Sequence, residues 1–562
     1  MRRSVLLLFG VLALGAAVAT AALSEEFEAS VAAASAFRAR HLGRTGGSDL
    51  VSVRVNDTMN TTGWIALKVD RQIATTVDPE GEDAVWYAAG HAEGAATAHR
   101  IDQIYSAVMV PQLPLHPQVR AFVEKHFAFM HTTSAAQRNA STYWRTVHRV
   151  LLQVRGIADG YAASGVSVRN NLTHWDVFLL NYNYELGDIQ DKYGVSGGIE
   201  TKTGKRIEGG GCSALVKVTS DDILMGHTTW TGYNMMLKAW KDYNFAMTPD
   251  GKDRQRVQMS SVPGAVASGD DWYQVSPAAL LVTETTHYNY NQELYAEFVI
   301  PETVSEFVRV MVANHIGTDG ITWVNAFARY NSGTYNNAYT VVDLKLFTPG
   351  VAPENLPDNL VWLTEQLPGM CPSIDVTPIM RGQGGYWSSY NRPAIPIVFN
   401  ASGFRRMCDA YGALFCYETY PRGLIFKRNA SDAVNQATFQ DVIRYNNFMH
   451  DPLSVCATCS DPPQNPWLAI AARGDLSPPG QKQGNWSAFL GGPSADGGID
   501  AKVGSYSMYH AGRGASVIAG PTHVQQPVFV WSESIVNGQV PHDGQPDRFD
   551  FDWVNPTSEL LG

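Results

Sequence analysis

Apolar residues recur at spacings of three and four along residues 98–109, 117–130, 143–162 and 176–193, the period that turns one face of a helix toward a core. The spacing predicts a helical layer. Beyond residue 193 the pattern collapses into Gly, Lys, Thr and Glu, as in Gly194-Val195-Ser196-Gly197-Gly198 and Thr201-Lys202-Thr203-Gly204-Lys205-Arg206, and predicts an exposed, cleavable loop. Order then returns abruptly. Three glycines run straight into an apolar, β-branched strand, Gly209-Gly210-Gly211-Cys212-Ser213-Ala214-Leu215-Val216-Lys217-Val218; a second strand is predicted over 223–230 and a helix over 233–243. Farther on, helices are predicted over 301–315, 321–330 and 432–448, and a strand over 338–347. Strands and helices intermix without strict βαβ alternation, which predicts a layered α+β fold over a doubly wound parallel one.

The amino terminus stands apart. Met1-Arg2-Arg3 is a positive start, Val5 to Val18 an apolar run, and Ala19-Thr20-Ala21 a small-residue cleavage site, so 1–21 reads as a signal peptide. The run is too short to span a bilayer, and no later stretch offers 18 unbroken apolar residues, so no transmembrane segment is expected in the mature chain. Secretory entry gives meaning to seven N-x-S/T sequons, at Asn56, Asn60, Asn139, Asn171, Asn400, Asn429 and Asn485, where surface glycans are expected. The protein is expected in the lysosome or outside the cell.

Composition narrows the class further. With 562 residues, 45% hydrophobic and 17% charged, the chain can afford a large core and is not disordered. Its net charge of −11 and the lack of any basic run exclude nucleic acid as an expected partner. Six cysteines are too few for a disulfide scaffold. Cys456 and Cys459, at CxxC spacing without a second ligand pair, predict a local disulfide rather than a zinc site; Cys408 and Cys416 could bridge a hairpin-like turn. Cys371 and Cys212 are left over.

The Gly-Gly-Gly-Cys junction carries the chemistry. If Cys212 attacked the carbonyl of Gly211, an N-to-S acyl shift would give a thioester, and water would cut the chain between them. Glycine would tolerate the tight geometry such a peptide needs. The new α-amine, with a reference pKa of about 7.7–8.0, could then serve as general base for the thiol on the same residue. The plainer reading is a flexible loop entering a strand that starts with a small buried cysteine. A papain-like pairing of Cys212 with His227 ranks below both, because that family's signature around the cysteine is missing. No G-x-S-x-G elbow in a plausible triad order, HExxH, P-loop or dinucleotide fingerprint competes.

Several motifs together resemble the phospholipase B-like family of the N-terminal nucleophile hydrolase superfamily. They are Cys212-Ser213-Ala214-Leu215, His227-x-Thr229-Trp230-x-x-Tyr233, Tyr330-Asn331-Ser332-Gly333-Thr334-Tyr335-Asn336-Asn337, Val342-Asp343-Leu344-Lys345, Gly497-Gly498-Ile499-Asp500-x-Lys502 and Gly544-Gln545-Pro546-Asp547, in family order over residues 212–547. The resemblance implies a four-layer αββα sandwich with an additional helical layer, and maturation at Gly211-Cys212 into two chains, 22–211 and 212–562, that stay together as one unit. It implies Cys212 as nucleophile and an acyl-thioester intermediate, with no cofactor and no metal.

Other roles follow the same resemblance. His227 could stabilise the thiolate or orient substrate, or simply be hydrogen-bonded at a strand end. Asn331, in a stretch similar to one in choloylglycine-hydrolase relatives, would help form an oxyanion hole, with Asn336 second; both could instead close a turn. Arg473 could supply a positive charge, or be a solvated surface residue. The expected activity is removal of fatty acyl groups from phospholipid. The alternatives are an amidase acting on N-acyl lipids or peptides, and a non-catalytic lipid-binding glycoprotein. Headgroup, acyl position, oligomeric state and loop trimming stay open.

Overall fold

Asp78 caps the first long helix, α1 (Pro79–Ala96), by accepting a hydrogen bond from Gly81 N–H at 2.7 Å, with Pro79 in the first turn where its missing N–H costs nothing. Helices α2 (Ala98–Val108), α3 (Pro117–Gln137), α4 (Thr142–Ala163) and α5 (His174–Tyr182) follow, close to the predicted periods; the fourth period breaks at a 3₁₀ turn, Asn183–Glu185. In the computed structural model, which describes residues 50–72, 78–195, 211–487 and 489–561, α1 and α4 touch backbone to backbone. A Cβ on Gly90 would lie 2.0 Å from the Gln153 carbonyl oxygen, and one on Gly156 2.2 Å from that of Tyr87. Two glycine pairs, Gly90 with Gly94 and Gly156 with Gly160, therefore set how closely the helices approach. The predicted signal peptide and residues 196–210 of the Gly-rich loop lie outside the described residues.

The strands, in chain order, are β1 (Val51–Thr58), β2 (Trp64–Arg71), β3 (Gly211–Val218), β4 (Ile223–Gly232), β5 (Lys238–Met247), β6 (Arg254–Ser261), β7 (Trp272–Ser276), β8 (Leu280–Thr286), β9 (Asn337–Asp343), β10 (Val361–Glu365), β11 (Ser373–Asp375), β12 (Tyr386–Ser389), β13 (Asp496–Gly498), β14 (Asp500–Ser505) and β15 (Ser516–Ala519). A nine-stranded sheet runs β1-β2-β5-β6-β7-β8-β9-β10-β11, and a second runs β12-β3-β4-β14-β15 with β13 beside β4. Pairing is antiparallel throughout these two sheets except between β2 and β5, which run parallel with Ala66 opposite Trp240. Strands from before residue 211 are thus built into a sheet completed by strands from after it.

One side of the smaller sheet packs on the larger: Val216 and Met225 share a core with Val257, Leu281 and Val341, and a Cβ on Gly504 would meet Trp272. The other side carries α8 (Gln436–Ile443), whose Phe439 fits against Gly226, in a second core with Leu215, Leu224 and Trp230. The fold is mixed α+β.

Three predicted elements change. Residues 233–243 form no helix: a 3₁₀ turn, Tyr233–Met235, leads into β5, whose Lys238, Lys241 and Asp242 are buried in ion pairs. Charges that are paired inside a sheet hid the strand pattern. The 432–448 helix shrinks to α8 because Asn435, bonded reciprocally with Thr438, caps it later. Residues 301–315 become α6 (Glu306–Ile316), followed by α7 (Gly320–Ala328). Two strands, β1 and β2, lie before residue 98, where the periodicity predicts no element.

Disulfides join Cys456 to Cys459 and Cys408 to Cys416, the latter across a helix end rather than a hairpin. Cys212 and Cys371 are free. Asn56, Asn60, Asn139, Asn171 and Asn400 are exposed. Asn429 is buried, its Oδ1 accepting from Arg428 Nε at 2.7 Å. No helix among the described residues is long and apolar enough to cross a membrane.

Candidate active site

Register places the chemistry between the sheets. Cys212, Ala214 and Val216 of β3 stand opposite Thr229, His227 and Met225 of β4, and paired residues share a face, here the one turned to the larger sheet. Cys212 is buried, 2% exposed. Its N–H donates to Asn391 Oδ1 at 3.0 Å, and its carbonyl accepts from Arg422 Nη1 at 2.6 Å. Arg422 ties the two together by donating from Nη2 to the same Asn391 oxygen at 2.6 Å, while its guanidinium lies over the Trp230 ring, 3.9 Å from the centroid. Asn391 sits at φ +63°, a left-handed conformation that Asn accepts better than most residues, and donates from Nδ2 to the Thr286 carbonyl.

Gly211 is explained by this clamp. A Cβ there would sit 2.9 Å from Asn391 Oδ1, closer than real contacts allow, so the glycine is needed for close approach. No positive φ is required of it.

Across the gap, the Cys212 thiol and the carboxylates of Asp271 and Glu284 present atoms all within 4.8 Å of one another, each residue buried. One thiol with two carboxylates is not the nitrogen and sulfur donor set of a structural zinc site. Burial pushes the Cys212 thiol well above its ordinary value, and the nearby Glu284 and Asp271 push it further, so the thiol is held as a neutral S–H. Tyr335 donates to Asp271 Oδ2 at 2.6 Å and packs on Tyr184, 5.2 Å between ring centroids. Both tyrosines line a cavity of about 20 Å³ with Asp270 and Glu306. That is room for about one water and none for an acyl chain.

Behind Thr229 lies a charge network. Lys238 pairs with Asp270 and, at 2.8 Å, with Asp500; Lys502 pairs with Asp500 at 2.7 Å and donates to Thr229 Oγ1 at 2.6 Å. Burial alone would raise the Asp500 carboxyl, but the two lysines overcome it and hold it ionised. Thr229 Oγ1 in turn donates to the Asp270 carbonyl at 3.1 Å.

The predicted site residues fall in different places. His227 is on the Cys212 face, one pair along, fully buried; burial first and Lys502 second hold its ring neutral. Asn331 spends its amide on the Leu367 and Met370 carbonyls at 2.8 and 3.1 Å and accepts from Gly333 N–H, closing a turn. Asn336 donates to the Gly333 carbonyl at 3.1 Å. Arg473 is no solvated residue: it is buried, paired with both oxygens of Asp475 and bonded to the Thr522 and Pro527 carbonyls. None of the hydrogen bonds made by Asn331, Asn336 or Arg473 reaches Cys212. The amide and guanidinium that hold the Cys212 backbone are instead Asn391 and Arg422. Sequence reasoning passed over them, and over Asp271 and Glu284. A signal existed for one: Asp270 and Asp271 adjoin Trp272, and two adjacent acids leading into an apolar strand need partners.

The chain was compared with known proteins. The family model described as Phospholipase B matches residues 51–556. "Phospholipase B-like protein B" of Dictyostelium discoideum is 33% identical over 529 residues, covering 91% of this chain and 86% of that protein. "Putative phospholipase B-like 2" of Homo sapiens is 33% identical over 521 residues, covering 88% and 84%.

Proposed function

The chain belongs to the phospholipase B family, and from that premise we propose that it is an acyl hydrolase that cuts itself before Cys212 and then releases fatty acid from phospholipid. The fold reading that goes with it is the four-layer αββα sandwich of N-terminal nucleophile hydrolases, which two face-packed sheets with α1 against one and α8 against the other support.

One observation carries the proposal: the peptide between Gly211 and Cys212 is held at the cysteine N–H by Asn391, and the following carbonyl, that of Cys212 itself, by Arg422, beside a glycine that the grip requires. In self-cleavage the thiolate attacks the Gly211 carbonyl carbon, the C–N bond breaks, and water hydrolyses the resulting thioester. Asn391 Oδ1, the acceptor for the peptide N–H, then holds the new α-amine. That amine takes the thiol proton when Sγ attacks an acyl carbonyl and gives it to the departing alcohol oxygen as the ester C–O bond breaks; water then hydrolyses the acyl-thioester, releasing the acid and restoring the thiol. No cofactor enters these steps. Disulfides and exposed sequons support a lysosomal or secreted location.

The test is intact mass under reducing conditions together with fatty-acid release from phosphatidylcholine micelles. Wild type should give two chains, one beginning at Cys212, and release acid; Cys212→Ala should remain one chain and release none. Equal lipid binding by both forms with no acid released would favour a binding protein, and turnover of an N-acyl amide alone would favour the amidase.

A further inference from the structure

Two buried carboxyl groups face the Cys212 thiol from the larger sheet. Asp271 Oδ1 and both Glu284 oxygens are buried with no hydrogen-bond partner. Acids so placed cannot both be ionised, and they satisfy each other only by sharing a proton. The backbone points the same way. Asp271 and Tyr335 both hold positive φ, +58° and +51°, and they meet through the 2.6 Å hydrogen bond from the tyrosine hydroxyl. Non-glycine residues persist in that region only where the surroundings over-determine them.

Resting on the self-cleavage reading above, we propose that Asp271 and Glu284 form the acid–base pair of that cleavage. One carboxylate takes the proton from Cys212 Sγ as sulfur bonds to the Gly211 carbonyl carbon. The pair then gives a proton to the Cys212 nitrogen as the C–N bond breaks, leaving a neutral amine and a thioester. Water hydrolyses the thioester and restores the thiol.

The pair works with one proton on it. Burial pushes Asp271 up to about 6, and burial with the Asp271 charge pushes Glu284 well above the carboxylate range. Below about pH 6 both are protonated and neither can accept a proton; above it one proton is shared. The groups facing the pair are Asp270, Glu306, Tyr335, Tyr339, Tyr273 and the Thr286 hydroxyl, with Cys212 from β3 and Lys502 from β14. Lys502 favours the ionised form, and Asp270 and Glu306 oppose it.

The experiment follows conversion of newly made full-length chain, from an oxidising cell-free system, by reducing gel between pH 5 and 8. The wild-type rate is expected to rise about tenfold per pH unit up to about 6 and then level; a flat profile, or one rising toward acid, overturns the proposal. Glu284→Gln and Asp271→Asn, checked for cooperative melting, are expected to convert at least 100-fold more slowly. Either variant cutting at the wild-type rate overturns the pair while leaving self-cleavage standing. If a variant does not fold, the wild-type pH profile decides. Wild type that is never cut, like Cys212→Ala, overturns both readings.

Discussion

The α1–α4 pair and the space between the sheets are both closely packed, and they are held by different means. Between the helices four glycines remove side chains so that two backbones touch, with the Tyr87–Asp159 and Asp83–Arg149 pairs alongside. Between the sheets almost every wall is ionisable, and Lys238, Asp270, Asp500 and Lys502 neutralise one another beside a carboxyl pair and a thiol. Close packing tolerates little change in volume, whereas a buried charge network tolerates little change in charge. The first is the design of a scaffold, the second that of a reacting site.

The largest expected effect comes from breaking the charge balance. Lys238→Met takes from Asp270 its paired lysine and leaves Asp500 with Lys502 alone, and should cost about 3–5 kcal/mol in urea denaturation. Gly90→Ala inserts a methyl where the Gln153 carbonyl stands and should cost about 1–3 kcal/mol, with no change in the pH dependence of stability. Glu306→Gln tests charge apart from volume. Burial first, and the Asp271 charge next, raise this acid to about 8, so the folded state keeps a proton that the unfolded chain releases above its ordinary value of 4.5. The stability it contributes is full below pH 4.5 and lost as pH rises through 8. The variant should therefore match wild type near pH 4.5 and exceed it by a few kcal/mol at pH 8, read from denaturation midpoints. The smallest effect belongs to a charge pair in water: Arg120→Ala, which removes the exposed Arg120–Glu124 contact at 2.8 Å, should cost no more than about 0.5 kcal/mol. A Lys238 variant as mild as that would erase the contrast.

The helical layer was legible because its information is local: apolar period, caps and length all sit within each segment. Strand β5 was not, since Lys238, Lys241 and Asp242 carry charges whose partners, Asp500, Glu93 and Arg256, lie elsewhere in the chain. Cys212 could be found because three glycines mark it. Asn391, Arg422, Asp271 and Glu284 could not, since each converges on the cysteine from a separate element and no spacing announces it. The choice of Asn331 shows the same limit. Its motif is distinctive, but the fold uses its amide to close a turn and brings Tyr335, four residues on, to the acid pair.

The parallel ladder between β2 and β5 has a consequence for biosynthesis. As the polypeptide leaves the ribosome, the β1–β2 hairpin presents an unpaired edge until residue 244 has emerged to stand opposite Asp70. An open edge of that kind invites association with other nascent chains, and a contact so distant forms slowly. The amino-terminal piece made alone should therefore aggregate, and the two pieces of a cut molecule should come apart only under conditions that unfold the nine-stranded sheet as a whole.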